Sequence, residues 1–269
     1  MSLYHYTDAS AVLSIVKERE LWLTDIRFMN DAEETLDGVK YVMEAVKSLP
    51  LMADEHSKRA LDILLRFTAQ DVAEGLMDEH SFISSFSRTG DHLVQWRSYG
   101  LYAIEFDDSL MHDLSPITPC HYEILEKQNL AIDFVRMTRD AISAKLSGGH
   151  DEYSHAVQRS IWELADFTTA FKHQSFRDEN EVRLIRMESA HSESVNYRVR
   201  NNYLIPFVKV AFDLKHIRAI HVGPMKHQDL AMMAMRSFIN NIQIRSQNSP
   251  SFNYREIKVH ASSIPYRPL

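Results

Sequence analysis

Glu179 and Glu181 stand two residues apart in the stretch "FKHQSFRDENEVRLIRM", residues 171–187, with Arg183 two further on. If the stretch is extended, all three side chains project from one face, because successive strand residues point to opposite sides. Two carboxylates that close repel, and one pKa rises unless a cation or a ligand comes between them. Arg183 is the cation at hand. A carboxylate so placed suits glycosidic bond cleavage. It polarises a ribose 2′-hydroxyl and stabilises the charge of an oxocarbenium-like state. The plainer reading is a solvated edge strand carrying a structural Glu–Arg pair.

Four other stretches offer groups for such a site. His5 lies between two tyrosines in "YHYT", and Thr7 shares its strand face. A ring nitrogen of His5 can donate to a ribose hydroxyl; the plainer role is a hydrogen-bonded structural histidine. In "SFISSFSR", residues 81–88, Ser85 and Ser87 share a face and Phe86 takes the other. They read as hydroxyls beside a ligand or as small residues packed under a helix. In "QWRSYG", Trp96 and Tyr99 can stack on a flat ring and Arg97 can grip a phosphate. Otherwise Trp96 is core and Arg97 a surface ion pair. In "IRFMNDAEE", Asn30, Asp31 and Glu34 suit an acidic helix start. The sharper reading puts Arg27 and Asn30 on the pocket wall.

Composition narrows the field. Thirty Lys and Arg against 37 Asp and Glu give a net charge of −7, which argues against wholesale coating of nucleic acid but allows a local basic groove. Arg183, Arg186, Arg198 and Arg200 offer such a strip, with Tyr197 and Tyr203 able to stack on bases. Cys120 is the sole cysteine, so no disulfide framework or cysteine-built zinc site is available. The sequence has neither a secretory pattern nor a long apolar run, which predicts a cytoplasmic protein with no membrane partner. Glycine-rich phosphate loops are missing too. An oxygen-and-imidazole metal site is a weaker option, since His150 and His155 are spaced off one helical face.

These residues need positioning. Leu3 to Tyr6 predicts a strand, Asp8 or Ser10 caps the helix after it, and Leu21 to Leu23 is a returning strand. Asn30 caps a second helix, which Pro50 ends. A third helix is expected from Asp54 to Leu76. Strands are expected at 81–88, 101–107, 120–124 and 180–187, at 195–200 and 203–212 joined by an Asn201-Asn202 turn, at 217–223 and at 255–260. Two long helical patterns, about 125–146 and 151–173, break at Gly148-Gly149, and a further helix covers 226–240. The pattern predicts one α+β domain over 1–269, a mixed sheet with a helical insertion at about 125–173.

Read in order, Tyr4-His5-Tyr6-Thr7, Leu21-Trp22, Asn30-Asp31-x-x-Glu34, Ser85-Phe86-Ser87-Arg88, Gln95-Trp96-Arg97-x-Tyr99, Glu179-x-Glu181-x-Arg183, Val222-Gly223-Pro224 and Ile264-Pro265-Tyr266-Arg267 resemble a bacterial domain-of-unknown-function family across essentially the whole chain. More loosely, the opening, the "SFS" strand and the "ENEVRLI" strand are similar to the ADP-ribosyltransferase superfamily. That resemblance implies an ADP-ribosyltransferase-like fold and NAD as substrate. His5 and Thr7 would hold a ribose, with Asn30 closing the pocket. Ser85 and Ser87 would buttress the site, and Trp96, Arg97 and Tyr99 would contact the cofactor. Glu181 would be catalytic, with Glu179 orienting or activating a protein or nucleic-acid acceptor, in a toxin or phage-defence setting. NAD hydrolysis without an acceptor, a non-catalytic binding module and a metal-dependent hydrolase or nuclease are the competing readings.

Overall fold

Local rules set the element ends. Asp8 is the cap of the first helix: its carboxylate accepts from the Ala11 amide at 2.8 Å, and Arg19 closes that helix in the left-handed conformation. Asn201 and Asn202 both take positive φ, 49° and 66°, the signature of a tight hairpin turn. The computed structural model describes residues 2–29, 34–50, 52–66, 79–114, 117–247 and 256–265. Asn30 and Asp31 lie outside them, as do residues 67–78 of the expected third helix.

Ten strands form one mixed sheet: β1 (Ser2–Thr7), β2 (Glu20–Asp25), β3 (Glu79–Ser87), β4 (Tyr102–Asp107), β5 (Ile117–Pro119), β6 (Glu181–Ser189), β7 (Asn196–Arg200), β8 (Tyr203–Ala211), β9 (Ile217–Val222) and β10 (Lys258–Ala261). The main path runs β10-β9-β4-β1-β3-β2-β8-β7, with β6 and then β5 branching from β3. Only the β9–β10 ladder is parallel among these strands. The strand expected at 120–124 is displaced: β5 ends at Pro119, and His121 makes an isolated bridge to Phe171.

The sheet forks at β3. A strand has two edges, and β6 occupies one of them along the whole of Glu79–Ser87. β1 and β2 therefore share the other. β1 joins at Ser87, opposite Tyr4, while β2 joins at Phe82 and Ile83. Ser84, Ser85 and Phe86 lie between the two junctions. There the Nδ1 of His5 meets the Ser85 carbonyl at 2.9 Å, a side chain standing where a ladder bond would be.

Helices cover both sides. On one side α1 (Ala9–Glu18) and α8 (Gln228–Gln247) bury Val12, Val16 and Ile239 against Leu3, Phe82, Phe86, Ile104, Phe106 and Leu184. On the other, α2 (Glu34–Ser48), α3 (Glu55–Leu65), α6 (Ile124–Ser147) and α7 (His155–Thr168) form a second core around Val42, Leu64, Val135, Leu164 and Phe171. The short α4 (Leu93–Tyr99) and α5 (Ser109–Asp113) complete the set described. The two helices expected in 125–173 are present as α6 and α7, and they share this layer with α2 and α3. Gly38 lets α2 approach α7: a Cβ there would lie 2.2 Å from the Thr168 carbonyl oxygen. The layer meets the sheet through polar groups, Ser81 donating to Asp166 and Arg183 to the Thr169 carbonyl. Among the described residues no helix is long and apolar enough to cross a membrane.

Candidate active site

After α7 the chain turns through Lys172 into a 3₁₀ helix, Gln174–Glu179. Asn180 ends it in the left-handed conformation, φ 46°, and β6 starts at Glu181. Glu179 is therefore not a strand residue, and strand alternation does not bring it to Glu181. A third residue does. The Lys172 ammonium lies 2.5 Å from Glu179 Oε2 and 2.5 Å from Glu181 Oε2. Arg183 Nε donates to Glu181 Oε1 at 2.7 Å.

All four groups are buried: Lys172 is 3%, Glu179 6%, Glu181 6% and Arg183 1% exposed. A solvated edge strand is thereby ruled out as the setting. Two acids against two bases leave the cluster neutral, the condition under which buried charge is tolerated. Burial alone would raise the Glu181 pKa; the Arg183 guanidinium and then the Lys172 ammonium overcome it and bring it down to about 2. Glu181 is an ionised carboxylate at any physiological pH.

The surroundings hold Glu179 at both ends. Ser87 Oγ and Gln95 Nε2 donate to its carbonyl at 2.7 and 3.3 Å. Tyr99 donates its hydroxyl to Oε1 at 2.7 Å, and burial pushes that phenol's pKa up, so it keeps its proton. Gly100 sets Tyr99 in place: its φ is 133°, and a Cβ there would lie 2.3 Å from the Thr7 carbonyl oxygen. On the far side Tyr122 accepts from the Glu181 amide at 2.9 Å.

The β3–β6 register puts Ser87 opposite Glu181 and Ser85 opposite Arg183, so both serines share the face of the cluster. Ser85 Oγ is buried with no hydrogen-bond partner among the described residues. Tyr99 is 36% exposed and forms the outer wall; Arg97 is exposed too, but two residues away on a helix it faces another direction and does not join the cluster.

Other predicted site residues do not join them. Trp96 is 1% exposed, packs edge-on against Tyr6 at 4.7 Å and donates to Asp91, so neither ring face is open for stacking. His5 pairs in register with Ile104 and packs against Phe86, on the opposite side of the sheet, and strand alternation puts Thr7 there too. Burial lowers the His5 pKa, so the ring is neutral and Nδ1–H donates to the Ser85 carbonyl. Its Nε2 is then an acceptor, the reverse of the donor role expected. Arg27 is committed to Asp25 and contacts His80. Asn30 falls outside the described residues.

Three contributors went unread in the sequence: Lys172, Tyr122 and Gln95. Lys172 sits between elements, where no periodicity marks it. The available signal was physical: one arginine is too little cation for two buried carboxylates. Among the described residues no group of three or more His, Cys, Asp or Glu is placed to hold a metal. Comparison with known protein families, curated proteins and solved structures yields no match.

Proposed function

We propose that this chain cleaves the nicotinamide–ribose bond of NAD and passes ADP-ribose to a protein or nucleic-acid acceptor, or to water. One observation carries the reading: Glu181 is a fixed, buried carboxylate, ionised at neutral pH, on the same sheet face as a buried Ser85 hydroxyl with no partner of its own. The chemistry needs that pairing. As nicotinamide leaves with the bonding electrons, positive charge grows at the ribose C1′, and a preorganised anion stabilises it. The ribose 2′-hydroxyl donates to Glu181, displacing Lys172 toward Glu179. Ser85 Oγ supplies a further hydrogen bond, and Ser87 holds Glu179 through its backbone. The acceptor oxygen or nitrogen forms the new bond to C1′ and gives its proton to Glu179. Tyr99, at the outer wall, meets the nicotinamide end. His5, Thr7 and Trp96 are outside this mechanism.

A second reading has its own support. Both carboxylate oxygens of Glu181 are engaged by Lys172 and Arg183, as in a purely structural ion-pair network within a binding module. The test is NAD turnover by wild type, Glu181→Gln and His5→Ala with cell lysate as acceptor source. Nicotinamide release and ADP-ribose adducts are read by mass spectrometry. The transferase reading expects release from wild type and from His5→Ala, and a loss of at least about 100-fold in Glu181→Gln. Wild type that neither turns over NAD nor gains thermal stability from it leaves the binding module.

A further inference from the structure

The β7–β8 hairpin carries chemistry that the Glu181 cluster does not use. From Ser194 to Phe212 the chain has Arg198, Arg200 and Lys209 and not one acid, within a protein of net charge −7. Hairpin register puts Arg200 opposite Tyr203 and Arg198 opposite Ile205, and β8 continues that face to Phe207, which lies opposite Thr24 of β2. The Trp22 and Phe207 rings stack at 4.4 Å, and the Arg198 guanidinium lies 5.8 Å from each ring centroid. Arg198 donates to Thr24 at 2.8 Å, while its Nε is buried with no partner among the described residues. Lys209 is held by Glu20 at 2.9 Å. Arg200 is exposed, and Tyr203 is 68% exposed beside it.

We infer that this face of β7, β8 and β2 binds single-stranded nucleic acid. Ile205 and Phe207 are buried, so the open part of the face is its hairpin end, where an exposed cation, Arg200, stands beside an exposed ring, Tyr203; such a pairing is what an unpaired strand requires. Guanidinium groups meet phosphates and rings take bases, with little regard to sequence. Duplex DNA offers phosphates but hides its base faces, so charge alone would not separate the two. A purely acidic protein partner would use Arg200 but leave Tyr203 idle. The strip shares its sheet face with Glu181, since Thr24 pairs with Ile83, two residues from Ser85. The small core of Ile26, Ile83 and Ile185 separates them. The inference stands whether or not Glu181 is catalytic.

Fluorescence anisotropy of the full chain with labelled 12-nucleotide oligo-dT and oligo-U, the duplex of the same length and poly-glutamate tests it. Saturable binding to the single strands is expected, weakening as salt rises with a log–log slope of about −0.7 per phosphate contacted. Tyr203→Ala should weaken it at least about fivefold, the low end for one stacked base. Arg200→Ala should weaken it and flatten the salt slope. Glu181→Gln should leave it unchanged. Both strip residues are exposed, and thermal melts verify that each variant is folded. Equal affinity for duplex, tighter binding of poly-glutamate, or single-strand binding that survives the folded Tyr203→Ala and Arg200→Ala variants would overturn the inference.

Discussion

At the scale of single residues, Glu181 and His5 are two of the groups that shape the acid response, alongside the lowered carboxylates of Asp91 and Glu105. Glu181 moves from an ordinary 4.5 to about 2 in the fold, so its contribution is complete above about pH 4.5 and is lost as pH falls through 2. His5 is lowered from 6.5, chiefly by burial. The fold keeps it neutral while the unfolded chain takes a proton, so its contribution is complete above pH 6.5 and erodes below it. Urea midpoints against pH should therefore be flat near pH 7, decline gently below 6.5 and fall steeply below 4.5. Glu181→Gln should make the steep limb shallower and leave the gentle one. A steep limb unchanged by that substitution would place the dominant acid-sensitive group elsewhere.

At the scale of elements, the β3 serines separate packing from polar satisfaction. Ser84 Oγ is buried with no partner among the described residues and faces the main core opposite Leu184. Ser84→Ala removes an unmet hydroxyl and is expected to raise the urea midpoint or leave it unchanged. Ser87 donates to Glu179, and Ser87→Ala should cost about 1 kcal/mol. The same strand shows what was legible beforehand. The strand–helix–strand opening, the break at Gly148 and the Asn201-Asn202 turn follow from short-range chemistry that a sequence displays. The face shared by Ser85 and Ser87 follows from a period of two. Glu179 was misplaced because a single left-handed residue, Asn180, ends a 3₁₀ turn where the pattern reads as continuous strand. His5 was put on the wrong side because alternation along β1 says nothing about which side holds the glutamates; the β1–β4 and β3–β6 registers decide that, and they are long-range facts.

At the scale of the whole molecule, two apolar cores, one on each side of the sheet, meet across a polar joint made by Lys172, Glu179, Glu181 and Arg183. Removing Lys172 leaves Glu181 with Arg183 and takes away the cation bonded to Glu179. Lys172→Met should lower stability by about 3–5 kcal/mol, the usual cost of breaking a buried pair from one side. The loss should also be uneven. Amide exchange in α6 and α7 should rise before exchange in β3 and β4, because the helical layer would keep the Ser81–Asp166 and Arg183–Thr169 bonds but lose a third tie to the sheet. A uniform rise across all elements would mean that the cluster is not a joint. A surface pair offers the contrast: Glu152→Ala, which frees Arg59 and Arg66 at the rim, should leave the urea midpoint close to that of the wild type.

The fork at β3 also has a history in time. The edge that β6 occupies must wait until the chain has been made through Ser189, about 100 residues after β3 ends at Ser87. At about 5–20 residues per second that is about 5–20 s on the ribosome. Through that interval β3, with Phe82, Ile83 and Phe86, has no permanent neighbour on that side, and an unpaired apolar strand is a template for the wrong partner. The intervening 117–173 segment is mostly helix, built from local contacts that form fast. Its early collapse would shorten the path over which β6 must return. Nascent-chain yield should therefore fall more with substitutions that unwind α6 than their effect on the finished protein would suggest.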